Sequence, residues 1–294
     1  MSAKSQKINY LLQSATRYFS TKTCPYCGST SVKTIDRKYL VTRLLECNNC
    51  HLYFRHPVDA IADSEAFYQD DYQQEGGFTT DLPDEEALAQ LLQSSFGNTE
   101  KSTSVFEKLF EALFPSGLKG IKMIDYGASW GYMSHQFKAA GIEVDPYEIS
   151  VPRARFGKEK LGINIKTSED ELTEGNDIFF SSHVIEHHPD IEAMIALSRQ
   201  KLGPNGLFIA ECPNGSVDFR ARKPESFHRT WGQIHPNMLN ATFYQGVFAE
   251  HPYLITSPPY LMDEIGAWDQ KSQQVADTSG DNLMVIAKVN QSIQ

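Results

Sequence analysis

The chain has 294 residues, 40% of them hydrophobic, and a formal net charge of -10 at pH 7. This length predicts one domain of about 200 residues and a smaller one. An acidic surface repels phosphate backbones on average, so nucleic acid is a disfavoured partner. The sequence contains no apolar run of membrane-spanning length and no signal-peptide pattern near its N-terminus. We therefore expect a soluble, cytoplasmic protein with no membrane partner.

Four of the five cysteines lie near the N-terminus in two CxxC pairs: Cys24, Cys27, Cys47 and Cys50. Strand-like residues at 31–35 and 39–46 flank a polar turn at 36–38, which predicts a hairpin that brings the pairs together. Gly28 follows the first pair, where a tight turn needs conformational freedom. The spacing predicts a zinc ribbon in which four thiolates bind one structural Zn²⁺.

Paired disulfides and a redox-active CxxC are the competing interpretations of these cysteines. A cytoplasmic location argues against structural disulfides, and a single redox centre does not explain two CxxC pairs. The fifth cysteine, Cys212, stands in a strand-like run and is predicted to be a buried apolar side chain.

Strand-like and helix-like segments alternate after residue 102, which predicts an α/β fold with a parallel, Rossmann-like sheet covered by helices on both faces. The predicted strands are residues 121–126, 143–148, 163–165, 177–182 and 207–212, with residues 253–256 and 283–289 as an antiparallel pair at the sheet edge. The predicted helices are residues 105–114, 132–140, 151–161 and 191–202. We divide the chain into an N-terminal segment with the ribbon (1–57), a linker with short helices (58–101) and the Rossmann-like domain (102–294).

The polar residues of this domain follow the predicted strands, at the sheet edge where open α/β sheets bind ligands. Asp125 ends the first strand, and Gly127 and Gly131 bracket the turn after it, which lets the backbone approach a bulky ligand. Glu148 ends the second strand, where it can accept hydrogen bonds from both hydroxyls of a ribose. A nicotinamide dinucleotide is the rival ligand, but a serine and a tryptophan interrupt the G-x-G-x-x-G fingerprint that it requires.

Four motifs of the chain together resemble, in order and spacing, those of class I S-adenosylmethionine-dependent methyltransferases. They are IDYGASWG (124–131), YEIS (147–150), SHVIEHHPD (182–190) and LGPNGLFIAECPN (202–214). With the four-cysteine module and a Phe-Tyr-x-x-x-Tyr segment at 67–72, the chain is similar to a subgroup that often modifies sugars, polyketides or other small metabolites.

The resemblance implies S-adenosylmethionine as the cofactor and a small-molecule acceptor, a sugar or another metabolite, as the partner. It implies that Asp125, Gly127 and Gly131 contact the methionine and adenosine parts of the cofactor, that Glu148 binds the ribose, that Ile149 packs on the adenine and that His183 lies beneath the methionine.

Methyl transfer to a hydroxyl or to an acidic carbon needs a group that removes a proton. His187, in the loop after the fourth strand, is the first candidate, and His235, in the lid-like segment 214–240, is the second. A bracing role is an equally good interpretation of either histidine. Since some methyltransferases with a Glu-His motif bind a metal there, a site built from Glu186 and His187 is a third interpretation.

Two further classes of function stay open. The first is a non-catalytic binding protein that keeps the fold as a scaffold. Absence of S-adenosylmethionine binding would favour this scaffold over a methyltransferase. An RNA or protein methyltransferase guided by the ribbon is the other alternative. The acidic charge and the lack of an Asn-Pro-Pro-Tyr motif count against it.

Overall fold

The computed structural model of the protein describes residues 3–58 and 81–293. In chain order the strands are β1 (Val32–Lys38), β2 (Thr42–Cys47), β3 (Tyr53–His56), β4 (Lys122–Tyr126), β5 (Glu143–Tyr147), β6 (Asn176–Ser182), β7 (Leu202–Pro213), β8 (Asn237–Met238), β9 (Tyr253–Thr256), β10 (Gln273–Val275) and β11 (Asn282–Ala287). The α-helices are α1 (Ala3–Arg17), α2 (Glu85–Gln93), α3 (Ser104–Leu113), α4 (Tyr132–Ala139), α5 (Val151–Phe156), α6 (Ile191–Lys201), α7 (Val217–Arg222), α8 (Pro224–Thr230), α9 (Ala241–Val247) and α10 (Met262–Ala267). Residues 59–80 of the predicted linker, with the Phe-Tyr-x-x-x-Tyr segment, lie outside the described residues.

The larger sheet has seven strands in the order β10-β9-β11-β7-β6-β4-β5. Strands β5, β4, β6 and β7 are parallel to one another, as the alternating sequence predicts. The Rossmann-like class of the fold is therefore confirmed. Residues 203–206 loop out where the pairing of β6 with β7 shifts from Asn176–Leu202 to Ile178–Leu207.

Two details of the predicted sheet are wrong. The predicted third strand is reduced to a single parallel bridge between Tyr147 and Lys166. Strands β9 and β11 are antiparallel as predicted, but β11 lies between β7 and β9, and β10 forms the edge. Strand β10 (Gln273–Val275) is exposed at every position, so its sequence carries no hydrophobic pattern that would reveal it.

Burial on both faces explains why the central strands are so apolar. In β6, Phe179 contributes to a core on one face, whereas Ile178 and Phe180 contribute to the core on the other. Helices α6 and α9 cover the first face, and α3, α4 and α10 cover the second. Among residues 3–58 and 81–293, no helix combines the length and the apolar character that crossing a bilayer requires.

Side-chain caps begin several of these helices. Asp190 accepts a hydrogen bond from the amide of Ala193 at the start of α6, and Asn240 accepts one from the amide of Phe243 at the start of α9. Such caps satisfy amides that have no partner inside the helix. Asp190 ends the loop that carries His187, and Asn240 ends the segment that carries His235. The two caps therefore fix where those loops end.

The N-terminal hairpin belongs to a second sheet with the order β1-β2-β3-β8. The predicted hairpin is confirmed, but its turn is formed by Tyr39 and Leu40, both with positive φ, and not by residues 36–38. Residues 36–38 lie inside β1, beyond a register shift after Thr34. We call β1, β2, β3 and the cysteine turns the ribbon.

Strand β8 comes from the far end of the chain and extends the ribbon sheet. Phe54 pairs with Asn237, and the amide of Arg55 donates to the carbonyl of Pro236 at 2.7 Å. The side-chain amide of Asn240 donates to the carbonyl of His51 at 2.7 Å. Buried ribbon residues, among them Phe54, share one hydrophobic core with the first face of the large sheet. The ribbon therefore packs directly on the large sheet and shares its core.

Strand β1 holds the segment that precedes β8. The Asp36 carboxylate accepts hydrogen bonds from the indole of Trp231 at 2.8 Å and from the imidazole of His228 at 2.7 Å. The ammonium group of Lys38 donates to the carbonyls of Arg229 and Trp231 and lies 4.6 Å from the Trp231 ring centroid. We call this set of contacts the β1 latch.

Replacing Asp36 with Ala should loosen the segment 224–240. The indole and imidazole donors lose a charged acceptor, which is worth about 1.5–3 kcal/mol per hydrogen bond. Hydrogen exchange in peptides that cover 224–240 should accelerate by roughly 10- to 100-fold. The matched control is Arg37→Ala, whose exposed side chain belongs to the same strand. Exchange in Asp36→Ala that equals exchange in the control would show that the β1 latch does not hold this segment.

Candidate functional site

A glycine-bounded loop joins β4 to α4 at the carboxyl edge of the large sheet. Gly127 has φ 85°, Ser129 has φ 51° and Gly131 has φ 80°. A Cβ atom added at Gly127 would lie 2.3 Å from Cγ2 of Val184, which belongs to the loop after β6. Glycine at 127 is therefore required both by the backbone angle and by close contact between two loops.

Two carboxylates stand beside this loop, as predicted. Glu148 accepts hydrogen bonds from the amides of Ser129 and Ser150 at 2.9 and 2.8 Å. Asp125 accepts one from the hydroxyl of Ser134 at 2.5 Å, and burial raises the pKa of Asp125 to about 6. Burial also raises the pKa of Glu148. Each Glu148 oxygen has a second lone pair, so the carboxylate can still accept hydrogen bonds from a ligand.

Three other residues of this edge are placed as follows. Ile149 is half-buried and packs against the first core. Trp130 is fully buried in a cluster with Leu88 and Phe96, which come from the segment before α3. His183 has φ 55° at the end of β6, and its Nε2 lies 3.3 Å from the amide nitrogen of Asn282. Positive φ at a non-glycine residue is uncommon and is typical of functional loops.

The loop after β6 brings Glu186 together with three histidines. The Glu186 side chain is fully buried, and within the described part of the chain neither of its oxygens has a hydrogen-bond partner of normal geometry. Its Oε1 lies 3.5 Å from Nδ1 of His183, 3.6 Å from Nε2 of His187 and 3.9 Å from Nε2 of His235. The two catalytic candidates from different parts of the sequence thus share one carboxylate.

Backbone carbonyls orient the two candidate histidines. Nδ1 of His187 contacts the carbonyl of Ile234, and Nδ1 of His235 contacts the carbonyl of Thr230 at 2.9 Å. A carbonyl only accepts, so Nδ1 carries the proton and Nε2 keeps a lone pair in the neutral ring. Burial lowers the pKa of His187 to about 4. Burial alone would raise the pKa of Glu186, but the nearby histidines, chiefly His187, outweigh this effect and lower the pKa of Glu186 to about 2.

The four ribbon cysteines come together as predicted. Their Sγ atoms lie within 4.8 Å of one another, and the closest contacts join the two CxxC pairs: Cys24 to Cys50 at 3.6 Å and Cys27 to Cys47 at 3.5 Å. Four sulfurs around a tetrahedral Zn²⁺ at about 2.3 Å are separated by about 3.8 Å. Gly28 and His51 occupy equivalent positions after each pair, with φ 70° and 63°. The donor set and its spacing therefore fit a four-thiolate zinc ion.

Two residues near the histidine cluster were not predicted from the sequence. Asn237 donates from its side chain to the carbonyl of His188 at 3.1 Å, and its backbone amide donates to the carbonyl of Glu186 at 3.2 Å. Glu211 is buried on β7 and accepts from the hydroxyl groups of Tyr260 and Ser182. The signal for Glu211 is a carboxylate in an apolar strand; Asn237 carries no comparable signal.

The sheet order, the glycine loop and the carboxylates at the strand ends define a class I methyltransferase fold. Residues 99–256 match the family model described as "Methyltransferase domain", which is more than half of the chain. The chain belongs to this methyltransferase family.

Curated relatives bear names of the same class. A ubiquinone biosynthesis O-methyltransferase of Cereibacter sphaeroides is 28% identical over 138 residues, which cover 44% of this chain and 52% of the relative. The homologue from Paramagnetospirillum magneticum is 25% identical over 104 residues, 33% of this chain and 42% of the relative. The chain therefore spans about half the length of the curated relatives that it matches.

Solved methyltransferase structures resemble the fold at low identity. The plantazolicin methyltransferase BpumL, solved in complex with SAH, is 12% identical with a TM-score of 0.48, covering 76% of this chain and 94% of that one. A type 11 methyltransferase from Sulfolobus solfataricus, described as putative in its own name, is 13% identical with a TM-score of 0.45, covering 66% of this chain and 96% of that one.

Proposed function

We propose that the chain is an S-adenosylmethionine-dependent methyltransferase that methylates a small-molecule acceptor, a sugar or another metabolite. The observation that carries the proposal is the Glu186, His187 and His235 cluster beside the glycine loop of a methyltransferase fold. The relatives are named O-methyltransferases, which favours oxygen as the atom that receives the methyl group.

Residues around the glycine loop would hold the cofactor. When bound, S-adenosylmethionine supplies a methyl group that its sulfonium makes electrophilic. Glu148, held by two backbone amides, accepts hydrogen bonds from the ribose hydroxyls. Asp125, Gly127 and Gly131 face the methionine and adenosine parts, and Ile149 packs on the adenine. His183, at the end of β6, lies beneath the methionine.

The loop that carries Glu186 and His187 adjoins the glycine loop, since the Val184 side chain packs closely against Gly127. An acceptor hydroxyl that reaches Nε2 of His187 can give up its proton to the lone pair there. The Glu186 carboxylate, 3.6 Å away, stabilises the resulting imidazolium. His235, whose ring centroid lies 4.8 Å from that of His187, brings a second Nε2 to within 3.9 Å of the same Glu186 oxygen. Positioning the acceptor oxygen in line with the departing sulfur supplies much of the remaining rate enhancement.

A screen of acceptors with methyl-labelled S-adenosylmethionine, read by mass spectrometry, tests the proposal as a whole. We expect labelled product with hydroxyl-bearing sugars or metabolites. Absence of both S-adenosylmethionine binding and labelled product would favour the scaffold function, and label on RNA or protein would favour the ribbon-guided alternative.

Replacing Glu148 with Ala should weaken S-adenosylmethionine binding by about 1–3 kcal/mol, since the ribose loses a charged, buried acceptor. Calorimetric titration measures the change, which corresponds to a 5- to 150-fold higher Kd at about 1.4 kcal/mol per tenfold. Glu143→Ala, at the exposed start of β5, the strand that precedes Glu148, is the control. An unchanged Kd in Glu148→Ala would remove Glu148 from the ribose site.

Replacing His187 with Ala should lower kcat by about 100- to 10,000-fold and leave the S-adenosylmethionine Kd unchanged, because the imidazole acts on the acceptor and not on the cofactor. The acceptor is the one that the labelled screen finds. His251→Ala, whose ring contacts the carbonyl of Gln291, is the control. Near-wild-type turnover would show that His187 only braces the loop.

We propose that the ribbon cysteines bind one structural Zn²⁺, since all four coordination positions are taken by sulfur. Purified protein should release about one zinc ion per chain when a mercurial reagent titrates the thiols. Cys24→Ser should lose this zinc, whereas Cys212→Ala should keep it. Protein that releases no zinc to the thiol reagent would rule out the assignment.

A further inference from the structure

A buried guanidinium group supports the glycine loop from helix α5. The Arg153 side chain is 1% exposed, and its Nη1 donates to the hydroxyl of Ser129 at 2.7 Å. Ser129 is itself buried, in the middle of the loop between Gly127 and Gly131. A buried charge is costly unless hydrogen bonds and opposite charge compensate it, so an arginine at this place requires a physical reason.

The backbone of Ser129 gives the first part of that reason. Its φ is 51°, in the left-handed region, where a Cβ atom crowds the following carbonyl oxygen. A glycine would adopt this angle without crowding. A serine at this position therefore needs interactions that hold it in the turn.

Two hydrogen bonds supply that restraint. The amide of Ser129 donates to Oε2 of Glu148 at 2.9 Å, and its hydroxyl accepts from Arg153. The amide of Ser150, which precedes α5, donates to the other Glu148 oxygen at 2.8 Å. Loop, carboxylate and helix thus form a closed ring of contacts. A shift of Ser129 would also shift the carboxylate that we propose for the ribose.

Helix α5 packs closely enough on the loop to support it. A Cβ atom added at Gly157, the residue after this helix, would lie 2.8 Å from the carbonyl oxygen of Trp130. Ala154 of the helix and Ala128 of the loop belong to one hydrophobic cluster. Arg153 therefore reaches Ser129 from a helix whose distance from the loop is fixed by packing.

The charge of Arg153 has a second effect, on Glu148. Burial raises the pKa of Glu148, and the two backbone amides and the positive charge of Arg153 oppose that shift. An ionised carboxylate accepts hydrogen bonds at both oxygens, as two ribose hydroxyls require, whereas a protonated one donates at one of them. Arg153 therefore favours the form of Glu148 that suits the cofactor.

We propose that Arg153 is a positioning residue for the cofactor: it holds the Ser129 turn and so determines where the loop and Glu148 meet S-adenosylmethionine. Its role does not require contact with the cofactor. This inference rests on the proposed function, since it concerns the same binding site. It deepens that function by assigning part of the cofactor affinity to Ser129 and Arg153, neither of which was predicted from the sequence to bind the cofactor.

Hydrogen exchange in the ligand-free, full-length protein tests whether Arg153 holds the loop. Arg153→Met keeps an unbranched apolar side chain but removes the hydrogen bond and the charge. Exchange in a peptide that covers residues 126–131 should accelerate by about 10-fold or more, the loss expected for one hydrogen bond to a charged group. Arg155→Met, at an exposed position of the same helix, is the matched control and should exchange as wild type does.

Calorimetric titration tests the effect on S-adenosylmethionine. Arg153→Met should raise the Kd by about 10- to 100-fold, and Arg155→Met should leave it unchanged. Adding Ser129→Gly to Arg153→Met should restore most of the affinity, because glycine adopts the turn without a supporting hydrogen bond. An arginine that only stabilised the fold would change the melting temperature and not a Kd that Ser129→Gly restores.

If Arg153→Met fails to fold, the comparison of Ser129→Ala with Ser129→Gly replaces it. Both lose the hydroxyl, but only alanine keeps a Cβ atom, so Ser129→Ala should bind S-adenosylmethionine more weakly. Equal affinities of these two variants, or an unchanged Kd in Arg153→Met, would overturn the positioning role. Wild-type protein that does not bind S-adenosylmethionine contradicts the proposed function as well, whereas wild-type binding with an unchanged Kd in Arg153→Met contradicts only the role of Arg153.

Discussion

The site depends on one constraint, which is the hydrogen bonding that fixes the segment from Trp231 to Asn240 between two sheets. On one side β8 pairs with β3 of the ribbon. On the other side Asn237 donates to the carbonyls of Glu186 and His188, in the loop after β6. The carbonyl of Ile234, which orients His187, is part of the same segment. Without this arrangement His235 would be on a free surface loop, far from any carboxylate.

Much of the large sheet and its loops was predictable because the sequence signals for them are local. A buried parallel strand reads as an apolar run, and the turn after β4 needs glycine at 127 for a backbone reason that operates within a few residues. The cysteine cluster was equally predictable, since the CxxC spacing and a hairpin are enough to bring four sulfurs together. Local chemistry therefore identified the fold, the loop and the thiolate cluster.

The remaining features depend on contacts between residues distant in sequence. His187 and His235 were predicted as alternatives, and the structure places both on Glu186, because β8 brings the second histidine back to the sheet. The sequence places Asp36 in a turn, whereas it lies in β1 and accepts a hydrogen bond from Trp231, 195 residues further along the chain. Strand β10 pairs with β9 and is exposed at every position, so it leaves no apolar pattern in the sequence. Pairing partners of this kind are not encoded in any one window of the sequence.

The shared sheet of the ribbon also limits how this protein can be recombined. The outer neighbour of strand β3 is β8, which lies almost 200 residues later in the chain, and Phe54 contributes to the core on the first face of the large sheet. A ribbon taken from a related enzyme would have to pair with a β8 strand, and pack on an apolar face of the large sheet, that both come from a different protein. Chimeras that exchange ribbons should therefore carry residues 214–240 with them as one cassette. In this architecture, the segments that must be exchanged together are not contiguous in the sequence.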